Sequence, residues 1–466
     1  MLTPSRLFGK KPPLLDLICW SVMIWPLVFL GTFASQNVLS QIHTAPIVVQ
    51  GSQIIHSTQY PLESYRLYRS SPTGEAIPIP FQIDEINPWG DYVLPHGGTI
   101  TAKTGNGTFD PQDELAFMGD DVGPLQPPKS WGSAKPTLVF EIVMNSPSPT
   151  PGDPQQGAVY LAVFFSNPPP LLERSYVTFD RQTAEVVTSR YRYGFDKENW
   201  LVARKIDMRT QNVKTAEWIP LIESTTFYMK ADLKYFLTIY ANHRSISSQL
   251  EAYKTGPIRT IIRISFLYNF LKLNFELGMY TEVSFFSNAI YLPAILYNPI
   301  EGKKSLNKGS GFYYGMALRD NPSELNIDTN MPRYKVSRAD SFFGTKPPQD
   351  AANYWISAMA KDRMLYVELT PSADMLAKGA VPSLYQENLP GTLIARRGEK
   401  DPGPLGEGPV NMALHFDMTK LSEGEHSMAF RLYFENTHDP KRLEAFKNQI
   451  HWTYDSRRIP LERQLQ

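Results

Sequence analysis

The sequence predicts a mostly β protein, with antiparallel β-sandwich domains and one short C-terminal helix. Three observations predict it. Short segments alternate apolar and polar side chains, aromatic residues reach 12% of the chain, and 39 prolines with 29 glycines punctuate the runs. Aromatic-rich alternation broken by turn residues is the signature of strands rather than helical bundles. At 466 residues the chain exceeds one compact core. Two β domains are therefore expected, over 45–166 and 171–460, behind a separate segment 1–34.

The first domain reads as strands at Ser64–Tyr68, Ile77–Ile83, Glu114–Met118 and Thr137–Met144, followed by Ala158–Phe165, which is apolar on both faces. In Thr137–Met144 the side chains of Leu138, Phe140, Ile142 and Met144 fall on one face. Pro78 and Pro80 cannot donate to a ladder, so Ile77–Ile83 is expected at a sheet edge or a strand start. The Asn167–Pro170 break sets the boundary. Beyond it, Ile258–Phe266, Leu271–Leu277 and Met279–Phe286 read as a meander reversing near Asn269 and Gly278. Asn411–Met418 and His426–Phe434, joined through Ser422-Glu423-Gly424-Glu425, predict an antiparallel hairpin. Asp439–Trp452 spaces Leu443, Phe446 and Ile450 for a helix, with Asp439 as cap and Pro440 at its first position.

The chain carries 46 basic and 46 acidic side chains. No basic stripe stands out, so no nucleic-acid partner is expected. Arg6, Lys10 and Lys11 precede the uncharged run Leu17–Phe33, and Thr32-Phe33-Ala34 offers a signal-peptidase stop before Ser35. A cleaved signal peptide is the first reading and an anchor the second. Seventeen apolar residues reach about 26 Å as a helix, short of a roughly 30 Å hydrocarbon core. The single cysteine, Cys19, lies inside this run, which leaves the remainder thiol-free. A periplasmic, cell-surface or secreted location follows, with membrane contact only through the N-terminal segment.

The most pointed chemical motif is Asn106 to Glu114. On a twelve-residue calcium loop Asn106 falls at position 5, Gly107 at 6, Asp110 at 9 and Asp113 at 12, with Asp120 and Asp121 able to complete an oxygen shell. Ala102 and Thr104, at positions 1 and 3, bring no carboxylate. The competing reading is a polar loop capping a strand. Calcium is thus a possible ligand of Asn106, Asp110, Asp113, Asp120 and Asp121. Carboxylate pairs for glycoside cleavage include Asp84 with Glu85, and Glu276 with Glu282. Tyr313, Tyr314 and Trp355, beside Tyr291 and Tyr297, could form a sugar-stacking platform; filling a β core is the alternative. His415 and His426 lie in strands that could face each other. Gly309-Ser310-Gly311 lacks the five-residue frame of a nucleophile elbow.

Pro80-Phe81-Gln82-Ile83-Asp84-Glu85, Asp110-Pro111-Gln112-Asp113-Glu114-Leu115-Ala116-Phe117-Met118 and Asp121-Val122-Gly123 form a further pattern. It resembles uncharacterised exported envelope proteins of bacteria over about 45 residues. The resemblance implies an envelope location and a β-rich fold, and brings no activity to any residue. The leading expectation is a non-catalytic envelope protein binding a glycan, a lipid or a partner protein. The alternatives are a carbohydrate-active enzyme, either polysaccharide lyase or glycoside hydrolase, and an envelope assembly factor that pairs a sheet edge with a client strand. Polysaccharide or an envelope protein is the expected partner.

Overall fold

In a computed structural model the structure describes residues 45–54, 59–98, 104–146, 155–209, 217–234, 237–243, 246–270, 273–298, 300–319, 325–331, 333–335, 353–360, 363–388, 410–436, 443, 446–447, 450 and 453–459. The expected signal segment and most of Asp439–Trp452 lie outside them. Among the described residues no helix is long and apolar enough to cross a membrane.

The chain is mostly β, as its alternation predicts, and its sheets stack in four layers. The outermost is a six-stranded sheet. It pairs Leu138–Ser146 with Gln155–Val163, then Tyr65–Ser70 and Ala76–Pro78. Against it packs a three-stranded sheet of Pro46–Gln50, Glu114–Met118 and Gln82–Asp84. Leu115, Phe117 and Val49 meet Phe140, Ile142 and Leu161 between these two sheets. The opposite face of the three-stranded sheet carries Ala45, Ala116 and Met118, and these pack on the next layer against Ile258, Phe286 and Tyr433. That small sheet is therefore buried on both sides, which explains why Leu115-Ala116-Phe117-Met118 reads as a continuous apolar run.

The other two layers form a large sandwich of a nine-stranded and a ten-stranded sheet. Long strands such as Trp218–Leu233, Arg259–Phe270 and Leu273–Phe286 span it. The apolar sets of both sheets merge into one core holding Ile262, Phe285, Leu365 and Phe434 with Leu318, Met412 and Phe416. Tyr191 fixes one end: its hydroxyl, fully buried, donates to the carbonyls of Phe286 at 2.9 Å and Ala289 at 3.1 Å across the two sheets. Tyr191→Phe is expected to cost about 1–2 kcal/mol, readable as a fall in urea midpoint, because two buried carbonyls lose their donor.

Three expectations are corrected by this topology. Val410–Asp417 and Gly424–Glu435 do not form a hairpin; the first lies in the ten-stranded sheet beside Gly311–Leu318, the second in the nine-stranded sheet beside Ala289–Asn298. The short 3-10 turn Met418–Lys420 swings the chain between sheets, so Leu414 and Phe416 face Phe430 and Leu432 across the core. Alternation is the same for a hairpin and for such an arch, so spacing could not separate them. Gly278 does not reverse the meander either: Leu273–Phe286 runs through it as one strand. Finally, Thr453–Ile459 joins not the large domain but the six-stranded sheet, pairing with Leu138–Ser146 from Thr453↔Asn145 to Ile459↔Val139. The small domain takes strands from both ends of the described chain. Of the expected C-terminal helix, Leu443, Phe446 and Lys447 are helical, and Leu443, Phe446 and Ile450 are buried on the outer face of the nine-stranded sheet.

Candidate active site

The predicted calcium ligands divide into two groups with different tasks. Asp113 is buried and accepts backbone N–H bonds from Ile86 at 2.7 Å and Asp110 at 2.6 Å. Asn106 donates to Asp110 at 2.5 Å and accepts from Thr108 N at 2.8 Å, closing the loop on itself. Among the described residues no three acidic, histidine or cysteine side chains are grouped to hold a metal ion. Burial pushes the Asp113 carboxyl up to about 6, against the two backbone N–H bonds that pull it down and the Asp110 and Glu85 charges that push it up. Its folded value lies above the unfolded one, so its contribution favours the fold below about pH 4 and fades as pH rises through 6. Asp113→Ala is expected to lower stability by about 2–4 kcal/mol in a melting experiment at pH 5, since two buried N–H groups lose their acceptor.

Nor does the aromatic platform assemble. Tyr313 lies against His415 at 4.5 Å between ring centres and against Tyr228 at 5.5 Å. Its neighbour Tyr314 points the other way, into the sandwich, against Phe430. Trp355 stands on the outer face of the nine-stranded sheet, stacked on Tyr366 and capped by the Lys447 ammonium 3.4 Å from its ring centre. The three side chains occupy three different surfaces, as the period of two demands for adjacent Tyr313 and Tyr314. Tyr297 and Glu276 lie outside the described side chains. His415 and His426 belong to different sheets; burial pulls His415 down to about 4, while His426 bonds Ser422 O at 2.9 Å. Ser310 is buried and accepts from Asp232 N at 2.9 Å, a structural task.

The Phe-Gln-Ile-Asp-Glu motif locks the small domain to the large one. Gln82 Oε1 accepts from Ile258 N at 3.2 Å and Arg259 N at 3.1 Å, and its amide donates to Asp84 at 2.8 Å. Gly256 is needed beside it, since a Cβ there would collide with the Gln82 amide. Arg259, 2% exposed, reaches Asp84 at 2.7 Å and Glu114 at 2.6 Å. Lys254 adds a contact to Asp84 at 2.8 Å, and Tyr92 donates to Glu114 at 2.7 Å. Burial alone would raise the Asp84 carboxyl; Lys254 and Arg259 overcome it and hold it near 2. So tightly ionised a carboxylate is no proton donor near neutrality, and Asp84 with Glu85 is not an acid–base pair. Glu282 is likewise committed, to Arg263 at 2.5 Å.

The convergence that can do acid–base chemistry lies where the small domain's 3-10 turn Gly119–Asp121 meets the end of the large sandwich. Asp121 accepts the Tyr176 hydroxyl at 2.6 Å and sits 3.9 Å from Arg174, which covers the Tyr176 ring at 4.6 Å. Asp120 is exposed to water. Desolvation by the surrounding protein pushes its carboxyl up to about 6; Arg190 opposes that, Asp121 and Glu435 reinforce it, and Arg174 opposes it again. Glu435 ends the Gly424–Glu435 strand and accepts from Asn288 Nδ2 at 3.1 Å. Asn288 is 2% exposed, and its Oδ1 has no hydrogen-bond partner in the structure, an acceptor left open beside the carboxylates. The Ser189–Ser287 hydroxyl contact at 3.1 Å and Phe434 N to Asn288 O at 2.9 Å hold the surrounding turns together. Asp120 and Asp121 were visible in the sequence as acids. Glu435, Asn288, Arg174 and Arg190 were not, because they come from strand ends and turns far apart in the chain.

No protein-family model and no curated protein matches the chain. Solved structures similar to it include an alpha-mannosidase from Enterococcus faecalis V583, with TM-score 0.42 and 10% identity, over 90% of this chain and 44% of that one. Another is a protein in the Glycosyl Hydrolase Family 38 from Enterococcus faecalis, with TM-score 0.41 and 10% identity, over 90% of this chain and 46% of that one. The chain thus spans less than half the length of either. The expectation of a non-catalytic envelope binding protein does not stand beside these neighbours, whose likeness is one of fold alone. Asp120, Glu435 and their neighbours, not this likeness, carry the reading that follows.

Proposed function

We propose that the chain is a carbohydrate-active enzyme that cleaves glycosidic bonds by acid–base catalysis at Asp120 and Glu435. One observation carries the reading: a water-accessible carboxyl held at about 6 lies within the field of a second carboxylate at a domain junction. Hydrolysis of a glycoside needs one carboxyl that still holds a proton near neutrality and a second that stabilises charge or activates water. Asp120 is assigned as the acid, and Glu435, oriented by Asn288, as the second group. Arg174 and Arg190 offset the charges of Asp121 and Glu435 around Asp120. The basic start and the uncharged run Leu17–Phe33 support a location outside the cytosol, where an envelope or extracellular polysaccharide is the expected partner.

The test is turnover by the full chain of a panel of nitrophenyl glycosides and of neutral and uronic-acid polysaccharides, read as released reducing ends. Turnover of at least one member is expected, with loss in both Asp120→Asn and Glu435→Gln. A folded protein inert across the panel, or activity surviving both substitutions, overturns the reading.

A further inference from the structure

The nine-stranded wall of the large sandwich is split. Arg259–Phe270 and Leu273–Phe286 pair from Arg259↔Phe286 to Phe270↔Leu273, and Ala289–Asn298 pairs with Gly424–Glu435 from end to end. Between these two pairs of strands the ladder is short. Among the described residues it holds only Ser284↔Tyr291 and Phe285↔Ile290. Beyond that point Leu273–Phe286 and Ala289–Asn298 part, and the Thr281 hydroxyl, donated to Pro293 O at 2.6 Å, spans the start of the split.

Under the split lies a cavity of about 680 Å³, within the range of about 300–1,000 Å³ typical of small-molecule sites. Close-packed interiors hold few voids larger than a water. Leu292, Ala294 and Leu296 line it, and so do Pro293 and Ile295 between them. Successive side chains of a strand point to opposite faces, so a cavity confined between the sheets would touch only the first three. Touching all five, it runs past the strand's edge and opens through the split. Ile295, 43% exposed, forms a lip of that mouth.

The wall decides what fits. Among the described residues no charged side chain lines it, so a charged group taken inside would lose its water with nothing to replace it. The polar side chains at the split are engaged, Thr281 with Pro293 O and the Tyr280 hydroxyl with Asp91. Phe227, Met229 and Ala231 make the facing wall apolar as well. What such a space rewards is buried hydrocarbon, while a mouth open to water leaves a polar head solvated.

We propose that this cavity takes the hydrocarbon tail of an amphiphile, inserted through the split, with the polar head left in water at the Ile295 lip. It shares no lining residue with Asp120 and Glu435 and does not rest on glycoside cleavage.

The experiment uses the full chain and N-phenyl-1-naphthylamine, a neutral fluorophore that brightens in apolar sites. It is displaced by octanoate, decanoate, dodecanoate or dodecyltrimethylammonium, all below their micelle thresholds. Competition is expected to improve about threefold to fourfold per methylene along the carboxylates. Dodecyltrimethylammonium should compete about as well as dodecanoate. Ile295→Asp should weaken dodecanoate more than the ammonium, since the new charge meets the head. Ala294→Trp, and independently Ala231→Leu on the facing wall, should weaken all competitors several-fold while the melting transition stays cooperative. No displacement, competition independent of chain length, or unchanged binding in a folded Ala294→Trp or Ala231→Leu protein overturns the cavity assignment. A preference above about tenfold for one head in the native protein, the least a charge-reading contact would give, overturns the placement of the head in water. Equal effects of Ile295→Asp on both heads overturn the mouth.

Discussion

Arg259→Leu should destabilise the protein by about 3–5 kcal/mol, the loss typical of leaving buried charges without their partner. The guanidinium bridges Asp84 and Glu114 from beneath, with the Tyr92 ring 5.1 Å and the Phe286 ring 5.6 Å from its central carbon. Removing it leaves Asp84 to Lys254 and Gln82 and leaves Glu114 with the neutral donor Tyr92, at a junction of the small and large domains where water cannot reach Asp84. The urea midpoint should fall with the small domain becoming protease-sensitive first. Arg259→Lys keeps a charge but loses the two-pronged geometry, so it should fall between the parent and the leucine variant. The acid limb gives a second readout. Asp84 is depressed in the fold, so its contribution is complete above about pH 4 and is lost as pH falls through 2. That loss should be blunted in Arg259→Leu. A cost under about 1 kcal/mol would mean the bridge is not what holds the domains together.

Asp120→Asn should reduce glycoside turnover by about 10²–10⁴-fold, the usual worth of a positioned acid or base. The pH profile separates an acid from a merely structural carboxylate. Because Asp120 must hold its proton to donate it, turnover should decline as pH rises through about 6. Arg190 is among the groups that pull Asp120 down, so Arg190→Gln should move this alkaline limb to higher pH while leaving the fold intact. An unshifted limb in that variant, or a limb that persists in Asp120→Asn, would sink the assignment.

Much of the architecture was legible from alternation and turn residues. The strands Glu114–Met118 and Leu138–Ser146 lie where period-two spacing puts them. What alternation cannot encode is which sheet a strand joins. Val410–Asp417 and Gly424–Glu435 illustrate this: both carry inward apolar stripes, yet they face each other across the core. The site was harder. Asp84 and Glu114 stood out as motif acids, but their pairing with Arg259 spans 175 and 145 residues of sequence and turns them into a structural bridge. The aromatic candidates failed because adjacent residues on a strand must point to opposite faces. Asp120 alone carried no distinguishing mark, since its upward shift comes first from desolvation, which Glu435 adds to and Arg190 opposes, all brought about by distant parts of the chain.

The Thr453–Ile459 strand has a consequence for how the chain is made. Its partner, Leu138–Ser146, leaves the ribosome some three hundred residues earlier and must wait with an open edge until the last strand arrives. Assembly of the six-stranded sheet is therefore finished only after synthesis of the whole region, and contacts so distant in sequence form slowly. During that interval the nascent chain exposes an edge able to pair with other strands, which is the stage at which a holding chaperone is needed.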